Sequence, residues 1–178
     1  MKFLADRMLG SLSSWLRILG FDTISANSFV GLSNSQEDTF MLKLSELERR
    51  TLLTRDVQLH IRASQKYGIP TLLVDDGDVM HQLNQVRREF GLVFPHEPPV
   101  VRCSVCNGSL KQAAIQAVTQ SCEVRTLRTR GVNVEKFIKT HVDYYECCGC
   151  GKIFWKGQQW RNMLQRTRQL SHCDTSLE

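Results

Sequence analysis

At 178 residues, with a formal charge of +5 and an ordinary apolar content, the chain has the length for one good core, or for a core with a small satellite. No apolar run approaches the roughly 20 residues that cross a bilayer, and Asp6 and Arg7 interrupt the N-terminal apolar stretch that a signal peptide would need. An intracellular, cytoplasmic protein with no membrane partner is therefore expected, and its seven cysteines, all at or beyond Cys103, point to metal ligation rather than to disulfides.

In chain order, residues 2–5 predict a short strand, and Met8, Leu9, Leu12, Trp15, Leu16 and Leu19 recur at helical spacing until Gly20 stops the helix. A second strand is predicted at 22–26 and a loop at 27–35. A helix follows over 36–49, with Ser35 and Asp38 as its capping box. Thr51–Thr54 has the composition of a strand buried on both faces and ends abruptly in Arg55 and Asp56. A helix over 57–67, a strand over 71–74 and a helix over 78–90 complete the alternation. Such alternation predicts an α/β fold, a mostly parallel sheet flanked by helices. This first unit spans 1–92.

A Pro-rich linker over 93–99, with Pro95, Pro98 and Pro99, is stiff enough to hold a second module at a fixed distance. That module covers 100–157, and a basic helix with its tail covers 158–178. Residues 1–100 hold 11 Lys+Arg against 12 Asp+Glu, and residues 101–178 hold 12 against 6. A neutral front and a basic back suit a polyanion gripped at the back and processed at the front.

The second module carries Cys103-Ser-Val-Cys106 and Cys147-Cys-Gly-Cys150. Two such knuckles supply the four soft, tetrahedral ligands that zinc prefers, so Cys103, Cys106, Cys147 and Cys150 are the candidate ligands of a closed, structural Zn²⁺. Cys148 competes with Cys147, but the two-residue spacing to Cys150 favours Cys147. Cys122 and Cys173 are read as free thiols. The long stretch between the knuckles must carry structure of its own, and the alternation over Phe137–Tyr145 predicts a strand there.

In the first module three strands end in acids: Asp6, Asp56, and the run Asp75, Asp76 and Asp78. One such Asp is ordinarily a helix N-cap. Repetition at the carboxyl ends of three strands, the rim where open α/β sheets bind ligands, points to a carboxylate cluster. Hard cations such as Mg²⁺ or Mn²⁺ take such oxygen ligands and activate water for phosphodiester hydrolysis. Asp6 and Asp56 are the leading candidates. Asp38, with Glu37 as its rival, and one of Asp75, Asp76 or Asp78 extend the set. Arg7, Arg17, Arg50 and Arg55 lie near these acids in sequence and suit bidentate phosphate contacts. Arg161, Arg166 and Arg168 decorate the last helix.

Taken in order, ADRMLGSLSSWLRILGFDT, Glu37-Asp38, ERRTLLTRD, HQL, CSVCNG and CCGCGKIFWKG resemble the Mut-7 C-terminal ribonuclease family, from Lys2 to about Met163. The chain departs from that family's usual pattern at Ser13-Ser14 and after Gly157, where Gln158 and Gln159 stand. The resemblance implies a PIN-like nuclease domain with an appended zinc ribbon, and a metal-dependent ribonuclease acting on RNA. It also implies that Asp6, Asp38 and Asp56 are the Mg/Mn-binding catalytic acids, and it leaves Asp75 and Asp76 as alternatives for a fourth. Arg7, Arg17, Arg55 and Arg161 are the expected RNA contacts. A catalytically inactive RNA-binding or ribonucleoprotein-assembly module is the alternative expectation. The sequence sets no oligomeric state, although PIN-like sheets are compatible with a dimer.

Overall fold

A computed structural model describes residues 1–141 and 143–172 of the chain. Four strands form one sheet: β1 (Lys2–Ala5), β2 (Asp22–Ser25), β3 (Thr51–Thr54) and β4 (Thr71–Leu73). Their order is β2-β1-β3-β4 and every pairing is parallel, with Leu4 opposite both Ile24 and Leu52, and Leu53 opposite Leu72. Parallel pairing demands crossovers, and the helices supply them. α1 (Gly10–Ile18) and α4 (Val79–Phe90) cover one face; α2 (Asn34–Glu48) and α3 (Val57–Ile61) cover the other.

Period-two alternation along β1 explains the two cores. Phe3 and Ala5 join Leu12, Leu16, Leu53, Leu83 and Val86 on the first face. Leu4 joins Met41, Leu42, Leu52 and Leu59 on the second. Both faces are apolar, so β1 and β3 are buried throughout, apart from Lys2. Trp15 packs against the first core, as its helical spacing predicts.

The capping box of α2 differs from the expected one. Gln36 accepts the Ser33 N–H at 2.9 Å, so the box is Ser33 with Gln36, and Asp38 is left out of the cap. The Ser35 side chain lies outside the described residues. The helix after β3 is α only over Val57–Ile61 and continues as a π-type turn over Arg62–Lys66.

Beyond Pro99 a second, antiparallel sheet has the order β5 (Leu110–Gln112), β6 (Tyr144–Cys147), β7 (Ile153–Trp155). Between β5 and β6 the chain is helical, in α5 (Ile115–Gln120), α6 (Cys122–Thr129) and α7 (Val134–Thr140). The strand expected over Phe137–Tyr145 therefore begins only at Tyr144. Asn133 caps α7 by accepting the Lys136 N–H at 2.9 Å, and Val134, Phe137 and Ile138 share the helical spacing that packs them on Val118, Val124 and Ile153. The last helix, α8 (Gln158–His172), buries Leu170 in the first core beside α1 and α4. Cys173 lies outside the described residues.

The Pro-rich segment does not hold the cysteine-bearing part at a distance. Arg17, at the end of α1, is 4% exposed and donates to the carbonyls of Thr23 (2.8 Å), Ser104 (3.1 Å) and Val105 (2.8 Å). Asn107 donates to Asp22 at 2.8 Å and accepts the Thr23 N–H at 3.1 Å. The first knuckle thus docks on the β2 edge, which would otherwise present an open row of backbone groups. Gly20 permits this approach. Its φ is +94°, and a Cβ there would stand 2.9 Å from the Pro99 ring.

Candidate active site

Strand order reverses between β1 and β3, and that switch point is where parallel α/β sheets open a crevice at their carboxyl ends. Asp6 follows β1 and is 9% exposed. Its backbone N–H bonds Leu53 O at 2.9 Å, which fixes it against β3. Thr54, fully buried at the end of β3, donates its hydroxyl to Asp6 Oδ2 at 2.8 Å and accepts the Asp56 N–H at 3.0 Å. One threonine thus ties the two strand-end acids together. The signal in the sequence for this role is the position of Thr54 two residues before Asp56.

Asp56 is also the N-cap of α3. Its Oδ1 accepts the Gln58 and Leu59 N–H groups at 2.7 and 3.0 Å. Asp6 makes no such cap bond. Asp56 Oδ2 and Asp6 Oδ1 have no hydrogen-bond partner among the described residues.

Asp38, on α2, accepts from Arg62 at 3.0 Å. Burial holds its carboxyl above the ordinary range; Arg62 opposes this, and the charges of Asp56 and Asp6 add to it. Asp38 thus lies within electrostatic reach of Asp56 and Asp6. The oxygens of the three are not drawn within 4.8 Å as a set; among the described residues only the cysteines form such a group. Glu37, the rival of Asp38, is buried and gripped by Arg7 through both carboxylate oxygens, with Arg7 Nε at 3.2 Å from Oε1. That grip neutralises Glu37 and pushes the Arg7 guanidinium further up, chiefly through the hydrogen bond.

The remaining candidates are dispersed. Asp75 and Asp76 follow β4 and are exposed; Asp75 lies 3.7 Å from His81, and Asp76 pairs with Arg55 at 2.8 Å. Asp78 caps α4, and the His81 and Met80 N–H groups hold its carboxyl below the usual range. Arg17 faces carbonyls of the first knuckle rather than the acids. Arg50 is buried and binds Asp22 and the Phe3 carbonyl, near the amino ends of the strands and opposite the acids. Arg161 lies exposed on α8 and donates to Gln158.

The four sulfurs of Cys103, Cys106, Cys147 and Cys150 all lie within 4.8 Å of one another. Cys103 and Cys150 are 3.7 Å apart, and Cys106 and Cys147 are 3.3 Å apart. Tetrahedral Zn–S bonds of about 2.3 Å place sulfurs roughly 3.8 Å apart, so the cluster has the dimensions of a Cys₄ site. Backbone N–H groups point at the sulfurs: Val105 and Cys106 at Cys103, Gly149 and Cys150 at Cys147. A Cβ at Gly108 would stand 3.0 Å from the Cys147 sulfur, so a side chain there would crowd the cluster. Cys148 is exposed and outside the cluster, which decides between it and Cys147. Burial pushes the Cys103 thiol up to about 12. Cys147, despite its own burial, is brought down to about 7 by the Cys150 N–H and the Cys106 thiol. This crowd of sulfurs can hold a metal ion and is consistent with a zinc ribbon.

The fold and the site define an α/β protein with a parallel sheet, acids at its switch point and a docked four-cysteine ribbon. The chain belongs to the Mut7-C RNAse domain family, which it matches over residues 1–167. Neither a curated protein nor a solved structure matches it. Among the described residues no helix is long and apolar enough to cross a membrane.

Proposed function

We propose that the chain is a metal-dependent ribonuclease that hydrolyses RNA phosphodiester bonds at the acid rim, with Zn²⁺ in the ribbon. The observation that carries this reading is the pair of strand-end acids at the switch point of the sheet, Asp6 and Asp56, tied together by Thr54. With Asp38, their donor set is all oxygen and carries concentrated negative charge, which fits Mg²⁺ or Mn²⁺. Bound there, such ions supply charge neutralisation for the phosphate and a water of lowered pKa.

The chain's own residues prepare that chemistry. Thr54 orients Asp6 and leaves Oδ1 free. The α3 amides engage one oxygen of Asp56, so its other oxygen is the available ligand. Arg62 aims Asp38, while Arg7 removes Glu37 from competition. Arg55 is the cation best placed to accept a phosphate. Its partner Asp76 is 88% exposed, and surface pairs of this kind contribute only about 0–1 kcal/mol, so phosphate can displace it. Arg17 drops out of the RNA-binding set because its donors are engaged with carbonyls. RNA is the expected partner and the basic ribbon is its grip.

The alternative, a catalytically inactive RNA-binding module, draws support from the spacing of the acids and from the exposed, separately paired Asp75 and Asp76. Cleavage of labelled single-stranded RNA with Mn²⁺, without divalent ion, and with Asp6→Asn separates the two. Cleavage that needs both Mn²⁺ and Asp6 supports the enzyme; metal-independent RNA binding without cleavage supports the module.

A further inference from the structure

A polar groove of about 340 Å³ leads away from the acid rim. It is lined by Ser13 and Ser14 of α1, by Ser25 at the end of β2 with Asn27 and Ser28 just after it, and by Ser104 of the first knuckle. Its upper end lies at the rim, because Asn27 donates at 3.2 Å to the carbonyl of Arg7, the residue next to Asp6. A second groove, of about 820 Å³, shares Ser104 and Val105 with the first and passes between α6 and β7. The two adjoin at Ser104 and Val105, and together they run from beside the residue after Asp6 to the ribbon.

Its chemistry changes along its length. Near the rim, hydroxyls and an amide both donate and accept, which suits ribose hydroxyls and phosphate oxygens alike. In the ribbon groove, Arg130 and Lys152 are exposed, and neither has an ion-pair partner among the described residues. Glu123 is the acid that lines it, and the exposed Arg125 and Arg128 of α6 lie near it in sequence. Phe154 is half-buried and borders this groove; it also lines a cleft with Pro99, Tyr145 and Trp160, and it enters no ring pair among the described residues. An aromatic ring beside cations is the combination that holds unpaired nucleotides.

We propose that these adjoining grooves form a track that carries the single strand of RNA leading away from the cleaved bond. The serine-lined groove holds sugar and phosphate, Phe154 stacks a base, and Arg130 and Lys152 pair with phosphates. The proposal rests on the acid rim being the cleavage site, and it adds the path by which a single strand reaches the ribbon.

The test is fluorescence anisotropy of labelled oligouridylates with the full, zinc-loaded chain in the absence of Mg²⁺ and Mn²⁺. One oligomer is long enough to span both grooves and one fills the rim alone. R130E/K152E should bind the long oligomer at least about tenfold more weakly, with a salt slope shallower by about 1.4 for the two lost phosphate contacts. Phe154→Ala should weaken it by about fivefold or more. The short oligomer should bind R130E/K152E and wild type alike. The charge-matched control K43E/K66E, at exposed positions on and after α2 and α3, should bind as wild type does.

Wild-type affinity and salt slope in R130E/K152E would overturn the track, as would an equal loss in K43E/K66E. Absence of RNA binding by the wild-type chain would also overturn it and leave the groove to a protein partner. Dependence on Arg130 and Lys152 in a chain that does not cleave RNA keeps the track and removes the nuclease. Cleavage without that dependence does the reverse.

Discussion

Asp56 serves two purposes with its two oxygens, and substitutions can separate them. Asparagine keeps the Oδ1 that caps α3 and removes the charge; alanine removes both. Asp56→Ala should lower stability by about 1 kcal/mol, the usual effect of losing an N-cap, whereas Asp56→Asn should leave the melting temperature near wild type. Both should lose Mn²⁺-dependent cleavage. Asp38 yields a pH prediction. Its folded carboxyl titrates above the ordinary value, through burial first and then the charges of Asp56 and Asp6, so ionising it opposes folding. Asp38→Asn should therefore raise the melting temperature at neutral pH. That gain should vanish as the pH falls through the raised folded pKa, where wild type is protonated too. Asp22 has the opposite sign. Burial pushes it up, but hydrogen bonds from Arg50 and Asn107, with the charges of Arg50 and Arg102, bring it below its ordinary range. Its contribution is present above the unfolded value of about 3.9 and is lost as the pH falls below it. Chemical denaturation as a function of pH should show a shallower acid loss in Asp22→Asn than in wild type.

At the scale of elements, the strands that end in acids were legible because their signals are local. An apolar run, an acid and a helix start lie within a few residues of each other at Asp6 and Asp56. The α2 cap was misplaced by two residues, because Ser33-Asn-Ser35 offers two starts and Gln36 completes the earlier one. α7 was misread because Phe137 and Tyr145 alternate with polar residues, while the satellite core selects the helical set Val134, Phe137 and Ile138. Arg17 was illegible for a different reason: its partners Ser104 and Val105 lie 87 and 88 residues away, and no local pattern announces them. Its position beside the acids in sequence suggested phosphate; the fold turns it toward the knuckle. Arg17→Ala would leave the buried Thr23 carbonyl and the part-buried carbonyls of Ser104 and Val105 without this donor, at about 1–3 kcal/mol in all. Hydrogen exchange should then quicken both in β2 and in residues 103–106, with the zinc content unchanged.

For the whole molecule, the ribbon is part of the surface of the parallel-sheet unit rather than a remote appendage. Asp22 joins Arg50 near the amino ends of the strands to Arg102 and Asn107 of the first knuckle, and Leu170 of α8 returns to the first core. A metal at the cysteine cluster would therefore steady the β2 edge as well as its own module. Stripping zinc should abolish exchange protection in β5, β6 and β7 and weaken it in β2, while β1 and β3, buried between two helical layers, stay protected. Uniform loss across both sheets would show a single cooperative unit; no change in β2 would show that the docking contacts persist without metal.

The central claim is that the carboxylates at the switch point of the sheet cut RNA. The measurement that tests it most directly is the single-turnover rate of single-stranded RNA cleavage in Mn²⁺ by wild type and by Asp56→Asn, purified side by side and matched in zinc content and melting temperature. The account predicts cleavage by wild type and a loss of at least about a hundredfold in Asp56→Asn, in keeping with removal of a group that acts in the transition state. Equal rates in the two proteins, or no cleavage by wild type, would contradict it.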